Sequence, residues 1–151
     1  MTTSVRSIDE LHGLVGSHLG YSSWLEITQE RVNLFADATG DHQWIHVDPD
    51  RARQGPFGST IAHGYLTLSL VSALLPEVLD LANVGMVVNY GANRVRFPAP
   101  VVVGSRVRLG ATLVSLHEVS GGWQSQVDVT MEVEGQPKPA LAAELLFRYY
   151  S

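Results

Sequence analysis

Apolar and polar residues alternate with a period of two through the second half of the chain, which predicts an antiparallel sheet. Between Arg106 and Val119, for example, one side of the alternation carries Val107, Leu109, Ala111 and Leu113. The predicted strands are Val84 to Phe97, Arg106 to Val119, Trp123 to Val133 and Leu141 to Tyr149. The pair Gly121-Gly122 is suited to a hairpin turn between two of them.

Helix signals mark the first half of the chain instead. Thr28 is a good N-cap for a helix with Val32 on its apolar stripe, and Gly40 is suited to the left-handed position that ends it. Asp48 is an N-cap before Pro49, at the helical position that tolerates proline best. Asp41, directly after the first of these helices, is therefore expected in an irregular loop.

A third helix is predicted from Ser59 or Thr60 to about Leu75, and it is apolar on nearly every side. Such a helix must be covered by other elements, and Pro76 is expected to end it. A buried helix followed by an antiparallel sheet indicates an α+β fold in which the sheet curls around the helix. The length predicts a single domain, residues 1–151.

Composition narrows the functional classes. The formal net charge of −5 argues against a nucleic-acid partner, because such a surface needs clustered Lys and Arg. With no cysteine, disulfides, thiolate nucleophiles and Cys-based zinc sites are excluded. The N-terminus has no signal-peptide core, and the apolar run Ile61 to Leu75 is too short and too polar to span a membrane. We expect a cytoplasmic protein.

The densest titratable chemistry lies between Asp41 and His46. A carboxylate and an imidazole that share one water molecule can add it to a polarised double bond or remove it. Walls formed by Trp44, Ile45 and Phe57 would tune both pKa values by desolvation. In the alternative interpretation, Asp41 only accepts amide hydrogen bonds from its loop, and His46 is a buried structural histidine.

His63 and Gly64 stand close to the start of the apolar helix. Helix N-termini hold unpaired N–H groups, so the Gly64 amide is a candidate donor to a thioester carbonyl and to the enolate formed from it. Alternatively, Gly64 is there only for close packing against a strand. His63 is either a residue that orients its neighbours or part of the helix start, and we favour the helix start.

Two rival chemistries use the same region. His42 and His46 are four residues apart, a spacing that places two histidines on one face of a helix, where they can bind zinc. Gly40 and Pro49 argue against a helix there, so no metal site is predicted. A serine hydrolase is disfavoured because the chain has no G-x-S-x-G motif. Ser72, inside the apolar helix, either lines a pocket or bonds to the carbonyl one turn back.

Arginines alternate on two predicted strands, so that each pair shares one face. The pairs are Arg94 with Arg96 and Arg106 with Arg108. Arginine suits phosphate groups, such as those of a coenzyme, although a solvated sheet face has the same pattern.

Two stretches together carry a family resemblance: FADATGDHQWIHVD from Phe35 to Asp48, and IAHGYL from Ile61 to Leu66. They are similar to the hydratase-2 motif of the MaoC-like dehydratases, the (R)-specific enoyl-CoA hydratases of the hot-dog fold. Three further stretches also resemble the family: Asn89 to Gly91, Arg94 to Val101 and Gly104 to Val107. The similarity extends over about Leu19 to Val119.

The resemblance implies an acyl-CoA thioester substrate, hydration of trans-2-enoyl-CoA to (R)-3-hydroxyacyl-CoA, and no cofactor, since coenzyme A is part of the substrate. It implies that Asp41 and His46 form the catalytic pair and that the Gly64 amide holds the thioester carbonyl. His63, Ser72, Arg94 and Arg96 are further candidates for substrate binding. A single unit of this length implies a homodimer with the acyl-CoA tunnel at or near the interface.

Two alternatives remain. A hot-dog thioesterase would release free CoA thiol. A non-catalytic acyl-CoA binder, or the partner subunit of a hetero-dimeric dehydratase, would bind ligand without hydrating it. The presence of both Asp41 and His46 argues against the second alternative, because a partner subunit does not need the pair.

Overall fold

A computed structural model describes residues 2–151, which form an α+β fold of six helices and eight strands. The helices are α1 Ile8–His12, α2 Gln29–Thr39, α3 Trp44–Val47, α4 Pro49–Arg53, α5 Gly64–Ser69 and α6 Val71–Val78. The strands are β1 Thr3–Val5, β2 His18–Tyr21, β3 Leu25–Glu26, β4 Leu79–Leu81, β5 Met86–Arg96, β6 Arg106–Val119, β7 Gly122–Val133 and β8 Leu141–Tyr150.

The main sheet is antiparallel and runs in the order β2-β6-β7-β8-β5, with β3 also paired to β6. All four predicted strands form, with bounds that differ from the prediction by two residues or fewer. The apolar alternation of β6 faces the core, where Val107, Leu109 and Leu113 are fully buried. The turn between β6 and β7 uses Gly121 in the left-handed region at φ 80°.

Four short strands were not predicted. β1 pairs in parallel with β4 and so connects the N-terminus to the end of α6, while β2 and β3 extend the main sheet along β6. Strands of two to four residues are too short to show an alternation of apolar and polar positions, so their pairing depends on the partner strand.

The apolar helix begins later and ends later than predicted. Residues 60–62 are extended, because Ile61 forms a β-bridge with Val102 and the Ala62 N–H donates to the Val101 carbonyl. The helical region consists of α5 and α6, and Pro76 lies inside α6, which continues to Val78. A proline removes one N–H donor of a helix, and here that loss does not end it. No helix within residues 2–151 combines the length and the apolar character needed to cross a membrane.

The prediction that this helix is covered on all sides is wrong for the single chain. Leu66, Leu70 and Leu74 face the core and are nearly inaccessible to solvent. On the other side, Tyr65 is 72% exposed, and Ser72 is exposed as well. α5 and α6 therefore have one core face and one open face that contains small polar residues.

The predicted caps are confirmed by their hydrogen bonds. The Thr28 hydroxyl accepts the Arg31 N–H at 3.1 Å at the start of α2, and Gly40 ends that helix at φ 80°. The Asp48 carboxylate accepts the Arg51 N–H at 3.1 Å at the start of α4. These caps determine where the chain leaves and re-enters helical structure on either side of Asp41 and His46.

β5 is the edge strand of the main sheet. It pairs with β8 on one side and, among the described residues, with no strand on the other. Its side chains are exposed on both faces apart from the half-buried Val95, and Met86 and Tyr90 are each 53% exposed. A long apolar edge with unpaired backbone groups is an unusual surface for a monomer.

Candidate active site

A cleft of about 230 Å³ opens where separate segments of the chain meet. Asp41 follows the end of α2, His46 lies on α3, and Gly64 begins α5. The residues that line the cleft are Asp41, His46, His63, Gly64, Tyr65 and Phe97. The predicted catalytic pair and the predicted carbonyl donor are therefore neighbours in the fold.

The Asp41 carboxylate has two different surroundings. Its side chain is 53% exposed, and Oδ1 accepts the Gln43 N–H at 3.3 Å. This is the kind of loop hydrogen bond that the alternative interpretation of Asp41 predicted. Oδ2 lies 4.0 Å from Nε2 of His63 and accepts no hydrogen bond from residues 2–151. One carboxylate oxygen therefore has a structural contact, while the other is available to a water molecule.

His46 is on a one-turn helix rather than in the non-helical loop that was predicted. Its ring is 6% exposed, and Nδ1 lies 2.7 Å from the carbonyl oxygen of Ile61. Because a carbonyl can only accept, Nδ1 must carry the hydrogen. In the neutral ring the lone pair is then on Nε2, which is not engaged by this contact.

The surroundings of His46 favour its neutral form. Burial is the largest effect and lowers the pKa of His46, and the neighbouring His63 lowers it further. The hydrogen bond to Ile61 and the Asp41 charge oppose this shift without reversing it. At neutral pH, His46 is therefore an uncharged imidazole able to accept a proton.

His63 connects the two predicted catalytic residues. It is 3% exposed at the N-cap position of α5, and its ring stacks on His46 with 3.8 Å between ring centroids. Its Nε2–H donates to the backbone carbonyl of Asp41 at 3.0 Å, whereas Nδ1 is buried without a partner in the described chain. Substrate binding by His63 stays a prediction.

Asp41, His46 and His63 place potential metal ligands within 4.8 Å of one another. Coordination through Nε2 of His63 would, however, break its hydrogen bond to Asp41. His42 pairs with Asp37 at 2.8 Å, and this hydrogen bond raises the pKa of His42. His42 is not among the residues that line the cleft. The prediction of a metal-free protein stays a prediction.

Gly64 has the features that both of its predicted roles require. As the first residue of α5, it has no intrahelical acceptor for its N–H. A Cβ at this position would lie 3.2 Å from the Phe97 ring, so the backbone is also closely packed. The absence of a side chain therefore lets the ring of Phe97 lie close to the donor.

A second cavity, of about 420 Å³, lies between the α5–α6 region and strands β5 and β8. The helical side of its lining includes Leu68 and Ser72, so Ser72 is at this cavity and not at the 230 Å³ cleft. Gly64 and Leu68 are four residues apart and share one face of α5, and Ser72 follows on α6. The cleft and the cavity therefore follow each other along the α5–α6 region.

The four arginines have different surroundings. Arg106 pairs with Glu134, and Arg108 pairs through Nε with Glu132 at 2.7 Å, so both guanidinium groups already have a carboxylate partner. Arg94 and Arg96 are exposed on β5 and have no ion-pair partner among the described residues. Phosphate binding by Arg94 and Arg96 stays a prediction.

The family model for the MaoC like domain matches residues 11–136, which is most of the chain. The chain belongs to the MaoC-like dehydratase family. The resemblance found in the sequence is thereby confirmed.

Similar proteins include both enzymes and less specifically named relatives. 3-Hydroxyacyl-thioester dehydratase Z of Mycobacterium tuberculosis (strain ATCC 25618 / H37Rv) is 54% identical over 144 residues, 95% of each chain. Nodulation protein N of Rhizobium meliloti (strain 1021) is 46% identical over 145 residues, covering 91% of this chain and 87% of the relative. The (R)-hydratase from A. caviae, described as involved in PHA biosynthesis, has a TM-score of 0.73 at 25% identity, with 88% of this chain and 94% of that chain covered. The predicted hot-dog fold is confirmed.

In this MaoC-like chain, the walls of the cleft differ from those predicted. Tyr65 and Phe97 line it, whereas Trp44, Ile45 and Phe57 do not. Phe57 lines a neighbouring pocket beside Gly64. Tyr65 follows Gly64 in the stretch Ile61 to Leu66, and Phe97 lies within the stretch that begins at Arg94, so both residues belong to stretches that carry the resemblance. Their position at the cleft depends on how α5 packs against the end of β5.

Proposed function

We propose that the protein is an (R)-specific enoyl-CoA hydratase that reversibly adds water to trans-2-enoyl-CoA and forms (R)-3-hydroxyacyl-CoA. One observation carries the proposal: the free Nε2 of a neutral His46, the Asp41 carboxylate and the Gly64 N–H belong to the same cleft. The 54% identity to a 3-hydroxyacyl-thioester dehydratase supports the hydro-lyase class.

In the proposed reaction, one water molecule lies between Asp41 and His46. His46 Nε2 takes one proton of the water as its oxygen bonds to C3 of the enoyl group, and Asp41 accepts a hydrogen bond from the second O–H. The electron pair of the double bond moves to the thioester oxygen, where the Gly64 N–H stabilises the enolate. The imidazolium then returns the proton to C2, so atoms and charges balance.

The main test replaces each member of the pair. Asp41→Asn and His46→Gln should each lower kcat by roughly 10²–10⁴ while the fold remains intact. Absorbance of the crotonyl-CoA enoyl thioester measures the rate, chiral analysis identifies the product, and circular dichroism checks the fold. His42→Ala is the matched control, because His42 lies outside the cleft and should keep wild-type activity.

Wild-type hydration by either active-site variant would refute the assignment. Release of free CoA thiol from acyl-CoA, detected with a thiol reagent, would instead support the thioesterase alternative. Ligand binding with no loss of enoyl absorbance would support the non-catalytic alternative.

The acyl chain is proposed to extend from the cleft into the 420 Å³ cavity. With the thioester carbonyl at the Gly64 N–H, a chain that follows α5 reaches Leu68 after one turn, about 6 Å away. The cavity is lined there by apolar side chains such as Leu145 and Phe147, while Ser72 is at its helical side. This arrangement predicts that acyl chains longer than four carbons gain apolar contacts.

We further propose that the protein acts as a homodimer in the cytoplasm. The exposed apolar edge β5 supports self-association, because a second β5 would pair its unpaired backbone and cover Met86, Val87 and Tyr90. Sedimentation equilibrium should give twice the chain mass for the wild type, and Val87→Lys should shift the distribution towards monomer. A wild-type monomer at micromolar concentration would contradict the dimer.

The cytoplasmic location is supported by the proposed substrate, because acyl-CoA thioesters are intracellular metabolites.

A further inference from the structure

A partly buried polar network connects Gln29 with the backbone of His46. The Gln29 Nε2 donates to the main-chain carbonyl of His46 at 2.7 Å and to Asn33 Oδ1 at 2.9 Å. The Gln29 Oε1 accepts the hydroxyl hydrogen of Thr60 at 2.6 Å. Since a main-chain carbonyl can only accept, the amide group can have only this orientation. Both of its polar atoms therefore have partners.

The His46 carbonyl needs such a donor. α3 has only four residues, and the last carbonyls of a helix have no intrahelical partner. Gln29, which lies 17 positions earlier in the chain, supplies the missing N–H. A side chain on α2 therefore holds the main chain of His46 near the end of α3.

The same network reaches the ring of His46 from its other side. Thr60, which is 2% exposed, holds Gln29 through its hydroxyl, and the next residue, Ile61, accepts the Nδ1–H of His46 at 2.7 Å. The Ile61 N–H also donates to the Ile45 carbonyl at 3.0 Å. The main chain and the ring of His46 are thus both held by the segment Thr60–Ile61, the main chain through Gln29.

A role confined to helix capping does not account for Gln29. The N-terminus of α2 is already capped by Thr28, whose hydroxyl accepts the Arg31 N–H. The contact of Gln29 with Asn33 is on the exposed side of α2. The two remaining hydrogen bonds of Gln29 are to the His46 carbonyl and to Thr60, whose neighbour Ile61 binds the His46 ring.

We propose that Gln29 is a positioning residue for hydration, and that it holds His46 so that Nε2 points to the reacting water. The inference rests on the proposed function, because it takes His46 as the proton acceptor. Gln29 itself does not line the cleft, and it acts through the carbonyl of His46 and through Thr60. A small displacement of a proton-transfer group is costly to the rate, so the expected loss is in kcat.

The sharpest variant is Gln29→Glu, assayed at pH 8. Glutamate has the same shape, but its carboxylate faces the His46 carbonyl with an acceptor where a donor is required. If Gln29 only stabilises the fold, the lost hydrogen bond should lower the thermal stability and leave the activity of the folded protein unchanged. Positioning predicts that kcat falls about tenfold or more while KM stays within about twofold.

Thr60→Val and Asn33→Ala complete the set. Thr60→Val removes only a hydroxyl and should also lower kcat, and the double variant with Gln29→Glu should lose less than the product of the two single effects, because both act through one network. Asn33→Ala removes the outer contact of the same amide and should retain wild-type kcat. Thr60→Val keeps the inference testable if Gln29→Glu does not fold.

The Nδ1–H proton of His46 gives a readout that does not depend on activity. In the wild type it should appear as a slowly exchanging downfield resonance in the proton NMR spectrum, and in Gln29→Glu it should broaden. Wild-type kcat in Gln29→Glu or Thr60→Val, with His46→Gln inactive, would overturn the inference and leave the proposed function standing. Wild-type activity in His46→Gln would instead refute the proposed function. The resonance would still show whether Gln29 orders the ring.

Discussion

The proposed path of the acyl chain predicts a specific effect of filling the cavity beside α6. Ser72→Phe places an aromatic ring at a residue that lines the 420 Å³ cavity. The cleft that contains Asp41 and His46 has no contribution from Ser72. The substitution should therefore block long acyl chains without changing the chemistry on short ones.

The magnitude follows from the apolar contacts that the chain gains. A four-carbon chain ends within about one helical turn, 6 Å, of Gly64, and so does not reach the cavity. Four additional methylenes, each worth at most about 0.8 kcal/mol when buried, add up to about 3 kcal/mol for an eight-carbon substrate. In the wild type, kcat/KM should rise by up to about 200-fold from C4 to C8.

The assay measures hydration of enoyl-CoAs from C4 to C10 by absorbance loss. Ser72→Phe should retain kcat/KM for C4 within about threefold and bring C8 down to the C4 value. Ala73→Leu is the matched control, since Ala73 is exposed on the same helix and does not line the cavity. Equal loss for all chain lengths in Ser72→Phe, or no gain with length in the wild type, would refute the proposed path.

Three further predictions concern the cleft and the core. Burial and His63 lower the pKa of His46, so in a pH–rate profile kcat/KM should begin to fall only at a pH below the pKa of a free histidine. His63→Phe should move this acid limb of the profile to higher pH, because it removes one cause of the lowered pKa. An acid limb at the same pH in His63→Phe and in the wild type would show that His46 does not control it. Gly64→Ala places a methyl group 3.2 Å from the Phe97 ring and should lower kcat about tenfold by shifting the N–H, with an unchanged rate counting against the donor role. Leu113→Ala, at a side chain with no solvent exposure, should lower the free energy of unfolding by about 2–5 kcal/mol in urea titrations, whereas a loss below 1 kcal/mol would contradict its place in the core.

Local sequence signals determined much of this fold. In β6, the alternation of neighbouring residues is enough to predict which side of the strand is buried. The caps Thr28, Gly40 and Asp48 form hydrogen bonds with residues only three or four positions away. The motif residues Asp41 and His46 were identified in the same way, since their spacing and their resemblance to a family are properties of one short stretch.

Tertiary contacts decided the rest. The apolar helix starts at Gly64 because residues 60–62 bond to Val101, Val102 and their neighbours, about 40 positions later, and a local pattern carries no information about that pairing. The lowered pKa of His46 is likewise a result of burial by distant segments. The role proposed for Gln29 has no local sequence signal, because its partners His46 and Thr60 are 17 and 31 positions away and only tertiary packing brings them into contact.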